Sequence, residues 1–281
     1  MKESPMLIIG RNAKTGLRVD KRLQSLGYVT RGVSRTSSPA FDWEDARTWR
    51  AVLDGCESAY VTYYPDLAMP TAESTLRKFV ILAREVGLQH LVLLSGRGEQ
   101  GAERAETLLM NSGLDWNVVR ASWFMQNFSE GFMIEGVLQG ELTLPAGDIP
   151  EPFIDIDDIA DVAVAALTRP ELRNRLFEVT GPRSMTFTQC VNEISEVVGY
   201  PVSFTKCSVE DFTRGLREQG VPEDMLWLMH ELFTVVLDGR NSIPTDGVEL
   251  VLGRPPTDFS EYLRKVMDSG AWHRSGLLQQ V

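Results

Sequence analysis

Short apolar runs alternate with segments of helical periodicity through the first half of the chain. Five runs have the composition of β-strands: MLIIG (6–10), YVTRGVS (28–34), SAYVTYY (58–64), LVLLS (91–95) and WNVVR (116–120). Between them apolar residues recur at spacings of three and four, and several of the predicted helices end at a glycine. Strands that alternate with helices predict a parallel sheet with helices on both faces.

After Trp123 the predicted elements become shorter and more mixed. Strand-like segments and helices are expected at 142–145, 153–156, 158–168, 176–181 and 208–237. Thr186 and Gln189 stand at the spacing of a capping box before a further helix. This change of pattern indicates a second, mainly helical region.

The two patterns together predict an α/β fold. We expect a Rossmann-like, doubly wound parallel sheet in residues 1–181, with residues 127–152 partly in a second lobe. Residues 182–281 are expected to form this smaller, mainly helical C-terminal substrate lobe. A chain of 281 residues is long enough for such an arrangement.

The composition is that of an ordinary globular protein with an acidic balance, 43% hydrophobic and 24% charged, with a net charge of -11. This charge disfavours nucleic acid as a partner, and no apolar run approaches the length of a membrane span. Residues 1–5 do not have the pattern of a signal peptide. The three cysteines are scattered like reduced thiols, so we expect a cytoplasmic protein. The three histidines lack ligand spacing, and no metal site is expected.

The stretch GRNAKTG (10–16) follows the first predicted strand and opens a helix. Gly10 permits a tight turn and Gly16 lets the helix pack closely on the strand, while the helix N-terminus offers backbone N–H groups to a pyrophosphate. Ala13 replaces the glycine that normally lets the backbone approach the phosphates. Its methyl group should narrow the fit without destroying it, unless the position needs a positive φ. A tight turn without a ligand is the alternative interpretation.

The second strand end indicates which dinucleotide would bind. An acidic residue here selects the ribose 2′-hydroxyl of NAD, whereas arginine suits the 2′-phosphate of NADP. The chain has Ser34 and Arg35 at this place and no acid before Asp42. We therefore predict NADPH/NADP, with Arg11 or Lys14 as a second phosphate contact. Asp42 is expected to face the adenine or to form the N-cap of a helix over 44–54.

The chain also resembles a known family. The segments SRTSS, FDW, LVLLS, SGLDWNVVRASWFMQNF, FIDIDDIADVAVAAL and LFEVTGPRSMTFTQ resemble NmrA-like atypical short-chain dehydrogenases/reductases. GVPEDM and LGRPPTDFSEYL narrow the likeness to the ergot-alkaloid festuclavine and agroclavine dehydrogenases and their bacterial relatives. The resemblance covers nearly the whole chain. It implies a Rossmann fold, NADPH and reduction of an iminium in an alkaloid precursor.

The resemblance also implies which residues bind. Cofactor-binding roles fall on Gly10, Asn12, Ala13, Lys14, Thr15, Gly16, Ser34, Arg35, Thr62, Tyr63, Ser95 and Ser122. The loop that borders the nicotinamide and the substrate in this family matches Ser122, Trp123, Phe124, Gln126 and Asn127. Tyr63 and Tyr64 stand where the ergot enzymes tend to have prolines, which indicates a different substrate.

No acid–base pair of the usual short-chain dehydrogenase type is present. None of the six tyrosines has a lysine four residues later, and GAERAE (101–106) has no lysine. Three interpretations remain open. An iminium already carries the positive charge and needs mainly hydride delivery. Alternatively, Tyr63 or Tyr64 donates a proton for the reduction of a carbonyl or an enone, or for a cofactor-dependent isomerisation. In the third interpretation, the protein senses NADP without turning it over. Tyr64 and Ser95 are the candidate catalytic residues.

The second lobe is rich in large apolar side chains, above all in EDMLWLMHELFTVVL (223–237). Plain core is one interpretation, but the apolar residues surround the predicted helix, as in a lid over an apolar ligand. A bulky, flat, hydrophobic substrate is therefore expected, for a monomer or homodimer. The candidate substrate-binding residues are Tyr64, Trp123, Phe124, Asn127, Trp227 and His230. We expect four acidic residues to cap the start of a helix and to interact favourably with its dipole: Asp155, Asp157, Asp158 and Asp161.

Overall fold

The computed structural model describes residues 4–273. Within this range the strands are β1 (Met6–Ile9), β2 (Thr30–Val33), β3 (Ser58–Val61), β4 (His90–Gly96), β5 (Asp115–Ala121), β6 (Glu141–Leu144), β7 (Arg175–Val179) and β8 (Ser203–Lys206). The α-helices are α1 (Lys14–Ser25), α2 (Trp49–Leu53), α3 (Ala72–Glu85), α4 (Gln100–Met110), α5 (Asn127–Glu130), α6 (Ile134–Gln139), α7 (Ile156–Thr168), α8 (Phe187–Val198), α9 (Val209–Glu218), α10 (Glu223–Glu231), α11 (Gly247–Leu252) and α12 (Phe259–Ser269). None of the helices in this range is long and apolar enough to span a membrane.

The chain divides into two compact units, each formed by several segments. Unit 1 comprises the described residues of Met1–Ala121, Ile156–Val179 and Asp246–Pro255. Unit 2 comprises those of Ser122–Asp155, Thr180–Thr245 and Pro256–Val281. The division differs from the predicted boundary at residue 181, because the chain leaves the sheet after β5, returns for α7 and β7, and returns again for α11.

Unit 1 is built on a parallel sheet of six strands in the order β2-β1-β3-β4-β5-β7. Leu7 pairs with Arg31 on one side and with Ala59 on the other, so β1 lies between β2 and β3. Helix α1 packs on α7, and α3 packs on α4. The predicted doubly wound parallel sheet is confirmed. Its strand order reverses at β1, the place where ligands bind in such sheets.

Most predicted elements of unit 1 lie where the pattern placed them. The glycine stops are also confirmed, since Gly27 and Gly87 both have positive φ. The predicted helix over 44–54 is instead a 3-10 turn, Ala46–Thr48, followed by α2. Asp45, not Asp42, caps this turn by accepting a hydrogen bond from the Arg47 N–H, so the N-cap alternative for Asp42 is wrong.

Unit 2 is mainly helical around the two-stranded parallel sheet of β6 and β8. Its core is aromatic: the rings of Phe128, Phe153 and Phe187 lie 5.1–6.1 Å apart, centre to centre. The predicted capping box of Thr186 and Gln189 is present at the start of α8. The segment 153–156 contributes one isolated bridge, Phe124 to Ile154, instead of a strand. Residues 208–237 are helical as predicted and end in a π-helical turn, Leu232–Val236.

Candidate cofactor site

The loop after β1 has no room for side chains at two of its glycines. A Cβ atom on Gly10, which has a φ of +84°, would lie 2.0 Å from Thr62 Oγ1. One on Gly16 would lie 2.2 Å from the Gly10 carbonyl oxygen. The two glycines therefore let α1 pack on β1 and let the end of β3 close against the loop.

Ala13 ends the loop and is the N-cap of α1. Its φ of -77° and ψ of 157° are extended, so the position does not require glycine. Alanine has no side-chain acceptor for the amides of the first helical turn. Asn12 and Ala13 are exposed and Lys14 is half-buried, whereas Thr15 is buried with its side chain in the core. The N-terminus of α1 is therefore not capped by the side chain of its N-cap residue.

The end of β2 is a turn closed by its own hydroxyl groups. The Ser34 N–H donates to Ser37 Oγ over 2.9 Å, and the Ser37 hydroxyl contacts the carbonyl oxygens of Ser34 and Pro39. Arg35 projects from this turn and is exposed. Its guanidinium carbon lies 5.3 Å from the centre of the Tyr64 ring. Arg35, predicted to bind the 2′-phosphate, is thus in contact with Tyr64, predicted to act in catalysis and substrate binding.

Arg11, the other candidate for a phosphate contact, lies along β2. Its side chain packs on Gly32, where an added Cβ atom would lie only 2.7 Å from Arg11 Cδ. Its Nε is 3.8 Å from the Asp20 carboxylate.

The end of β3 rests on an aromatic cluster that sequence reasoning missed. Trp43 donates from Nε1 to the Thr62 carbonyl oxygen over 3.1 Å, and its ring packs on Tyr63 at 4.8 Å. The cluster is completed by Phe41, Trp49 and Phe79. The motif FDW was a signal for it, but only as part of the family resemblance. Asp42, between Phe41 and Trp43, accepts a hydrogen bond from the Glu44 N–H.

At the end of β4, Ser95 is 4% exposed and donates to Glu106 on α4 over 2.6 Å. Arg120 on β5 donates to both oxygens of Glu106. Arg120 also reaches Glu178 on β7, 3.4 Å away, and Arg97 binds the other oxygen of Glu178 at 2.6 Å. The Ser95 hydroxyl thus belongs to a buried network of charged side chains.

A second feature missed by sequence reasoning joins the segments after β3 and β4. The carboxyl group of Asp66 is hydrogen-bonded to that of Glu99, the N-cap residue of α4. The Ala68 N–H donates to Asp66 Oδ1 over 2.7 Å. Burial raises the pKa of Asp66. Two carboxyl groups that share a hydrogen bond hold a proton between them.

The remaining predicted site residues belong to unit 2. Ser122 donates to the Pro152 carbonyl oxygen over 2.5 Å. The Trp123 ring is buried and packs on Phe233 at 5.2 Å. Phe124 and Asn127 are half-buried, whereas His230 is exposed and lies 3.3 Å from the Thr234 hydroxyl. Trp227 on α10 is 38% exposed.

Several relatives of this chain are named as oxidoreductases. Agroclavine dehydrogenase of Claviceps fusiformis is 27% identical over 92% of this chain and 96% of its own length. The chain is a homologue of clavine dehydrogenases and bacterial oxidoreductases. NAD(P)H azoreductase of Xenophilus azovorans is 26% identical over 92% of this chain and 96% of its own. Prestalk A differentiation protein A of Dictyostelium discoideum is 27% identical, over 92% and 84%. No family model matches the chain.

Solved structures share the fold at lower identity. The NADPH complex of an Escherichia coli NADPH-dependent quinone oxidoreductase has a TM-score of 0.77 and 17% identity, over 93% of this chain and 99% of that one. Triphenylmethane reductase of Citrobacter sp., complexed with NADP(H), has a TM-score of 0.77 and 15% identity over the same shares. The predicted resemblance and fold are confirmed. The homologues named above include oxidoreductases, and the two structural neighbours hold NADPH or NADP(H), which agrees with the predicted activity and cofactor.

Proposed function

We propose that this protein is an NADPH-dependent reductase that transfers a hydride to a bulky, apolar, electron-poor acceptor. The observation that carries the proposal is the loop after β1, where a Cβ atom on Gly10 or Gly16 would collide with neighbouring atoms. Such a loop brings backbone amides close to a pyrophosphate. The presence of Arg35 at the next strand end supports NADPH over NADH. The names of the homologues support the redox class.

Each part of the cofactor has candidate partners. Amides of the loop 10–16 other than those of Arg11 and Ala13, which donate to Val33 and Gly10, would bind the pyrophosphate. Ser34 and Arg35 would bind the 2′-phosphate, and Asp42 the adenine. Thr62 and Tyr63 would border the cofactor after β3. Ser95 would contribute through its backbone, because its hydroxyl is engaged by Glu106, and Ser122 would lie toward the nicotinamide. When bound, NADPH supplies the hydride.

The proposed acceptor is flat and conjugated. The compounds in the names of the relatives and structural neighbours, which are clavines, azo compounds, quinones and triphenylmethane dyes, all contain conjugated or aromatic rings. Trp123, Phe124 and Trp227 are the proposed apolar contacts, and Asn127 and His230 the proposed polar ones.

An iminium is the acceptor that best fits the residues of this chain. Hydride addition to its carbon moves the C=N electron pair to nitrogen and gives a neutral amine, so no proton donor is needed. A quinone or a carbonyl would need a proton as well. The lack of a tyrosine with lysine four residues later favours the iminium.

The proposal is tested first by binding. NADPH, NADP, NADH and NAD are titrated into the purified protein, into Arg35→Ala and into Arg50→Ala, a control at an exposed arginine on α2. We expect Arg35→Ala to raise the Kd of the phosphorylated pair at least about tenfold, because it removes charged hydrogen bonds to the phosphate. Arg50→Ala should leave all four Kd values unchanged.

Turnover is tested next, by following NADPH consumption with a cyclic iminium, a quinone and an azo dye. Consumption with the iminium supports the proposal. Tight NADPH binding without turnover of any acceptor would favour the NADP sensor instead. Failure of all four nucleotides to bind would overturn both.

A further inference from the structure

The contact between Arg35 and Tyr64 joins the ends of two strands that are not neighbours. Arg35 follows β2 and Tyr64 follows β3, and β1 lies between these strands in the sheet. The loop Gly10–Gly16 extends from that middle strand. The pair therefore lies on both sides of the candidate phosphate loop, at the carboxyl edge of the sheet.

The contact with Tyr64 leaves the N–H donors of the Arg35 guanidinium available to a ligand. A guanidinium that lies over a ring uses its face for the contact, while its N–H donors point outward in its own plane. Both residues are exposed, and Tyr64 retains 66% of its surface. Arg35 can thus stack on Tyr64 and donate to a phosphate at the same time.

The neighbouring tyrosine has a different environment. The Tyr63 ring packs on Trp43 and is half-buried in the aromatic cluster after β3. Among residues 4–273, the Tyr64 ring has no aromatic ring packed on it, and its contact is with the arginine. The two consecutive tyrosines therefore have different surroundings: Tyr63 packs in the aromatic cluster, and Tyr64 contacts Arg35.

We propose that Tyr64 is a positioning residue for cofactor selection: its ring holds the Arg35 guanidinium ready for the 2′-phosphate of NADPH. This inference rests on the proposed function. An exposed arginine loses side-chain entropy when it binds a ligand, and a ring that restricts it beforehand reduces that loss. Tyr64 thereby contributes to NADPH preference and is not the proton donor.

The test compares two substitutions at one position. Tyr64→Phe keeps the ring and removes the hydroxyl, whereas Tyr64→Ala removes both. We expect Tyr64→Ala to raise the Kd of NADPH and of adenosine 2′-monophosphate about two- to fivefold, the size of an exposed cation–π contact. The Kd of NADH and of adenosine 5′-monophosphate should not change. Tyr64→Phe should leave the Kd of NADPH unchanged, because the ring that faces the guanidinium remains.

A double-mutant cycle with Arg35→Ala isolates the pair. In the Arg35→Ala background, Tyr64→Ala should have no further effect on NADPH binding. Equal weakening of NADPH and NADH by Tyr64→Ala would overturn the inference, and so would a lower kcat for Tyr64→Phe at unchanged Kd, since that result marks a proton donor. If Arg35→Ala keeps the NADPH preference, the assignment of Arg35 to the 2′-phosphate fails together with the inference. If Arg35→Ala loses it and Tyr64→Ala does not, only the inference fails.

Discussion

The Ser95 hydroxyl donates a 2.6 Å hydrogen bond to Glu106, a carboxylate with 1% exposure. Ser95 and Arg120 are register partners on β4 and β5, and Arg120 donates to the same carboxylate. Glu106 is therefore satisfied by two neighbours and ties α4 to the sheet. The residue predicted to assist catalysis is part of the structural support of its own strand end.

Substitution of Ser95 or of Glu106 should lower the free energy of unfolding, and the loss should be larger for Glu106. Ser95→Ala removes one hydrogen bond to a charged group and should cost about 1–2 kcal/mol. Glu106→Gln removes the buried counter-charge of Arg120, which then has only the half-buried Glu178 at 3.4 Å, and should cost about 2–4 kcal/mol. Urea unfolding measures both, with the exposed neighbour Thr107→Ala as a control expected within about 0.5 kcal/mol. Equal stability of parent and Ser95→Ala, together with a kcat at least about a hundredfold lower, would instead assign Ser95 to catalysis.

Local signals account for the parts of the fold that the sequence could predict. A strand such as 6–10 and a stop such as Gly27 are fixed by neighbours in the chain, through alternation and backbone freedom. Partners far apart in sequence leave no such signal. Arg22 binds Asp157 and Asp161, more than 130 residues away, so the acidic helix start of α7 could be recognised while its cation could not.

The same distinction holds for the candidate site. The position and residue type of Arg35 lead to the prediction of a phosphate-binding residue, because strand ends meet at one edge of the sheet. Its contact with Tyr64 depends on strand order and side-chain direction, which composition does not encode. The pairing of Asp66 with Glu99 is hidden for the same reason.

Two opposite substitutions test the phosphate loop. Gly10→Ala places a methyl group at a φ of +84° and 2.0 Å from Thr62 Oγ1, and should cost at least about 2 kcal/mol and weaken NADPH binding more than about tenfold. Ala13→Gly should change stability by less than about 1 kcal/mol, because the extended backbone there suits either residue. Thermal unfolding and NADPH titration check both. A tenfold gain in affinity for Ala13→Gly would show that the methyl group obstructs the phosphates.

The Asp66–Glu99 pair predicts a pH-dependent gain in stability for Asp66→Asn. The folded pKa of Asp66 is raised above its unfolded value of about 3.9. Its contribution is therefore fully present below about pH 4 and is lost as the pH rises through the folded pKa. Asparagine keeps the acceptor for the Ala68 N–H and never ionises.

The measurement is the free energy of unfolding of both proteins from pH 4 to pH 8. We expect the two proteins to be nearly equal at pH 4 and Asp66→Asn to become progressively more stable than the parent as the pH rises to 8. A difference that shrinks as the pH rises would mean that Asp66 is stabilised as a carboxylate in the folded protein.

Trp227 provides the test of the proposed acceptor site in unit 2. Its ring is 38% exposed on α10, so much of its apolar surface is open to a ligand. Trp227→Ala should raise KM for a flat apolar acceptor about tenfold, since an aromatic side chain contributes about 1.5–3 kcal/mol when a ligand buries it. The Kd of NADPH should stay the same. Leu250→Ala, at an apolar residue on α11 with 61% exposure, is the control and should leave KM unaltered. The measurement is steady-state kinetics with a cyclic iminium at saturating NADPH. An unchanged KM in Trp227→Ala would show that α10 does not contribute to the substrate site. Trp123 and Phe124 would then be the remaining proposed apolar contacts.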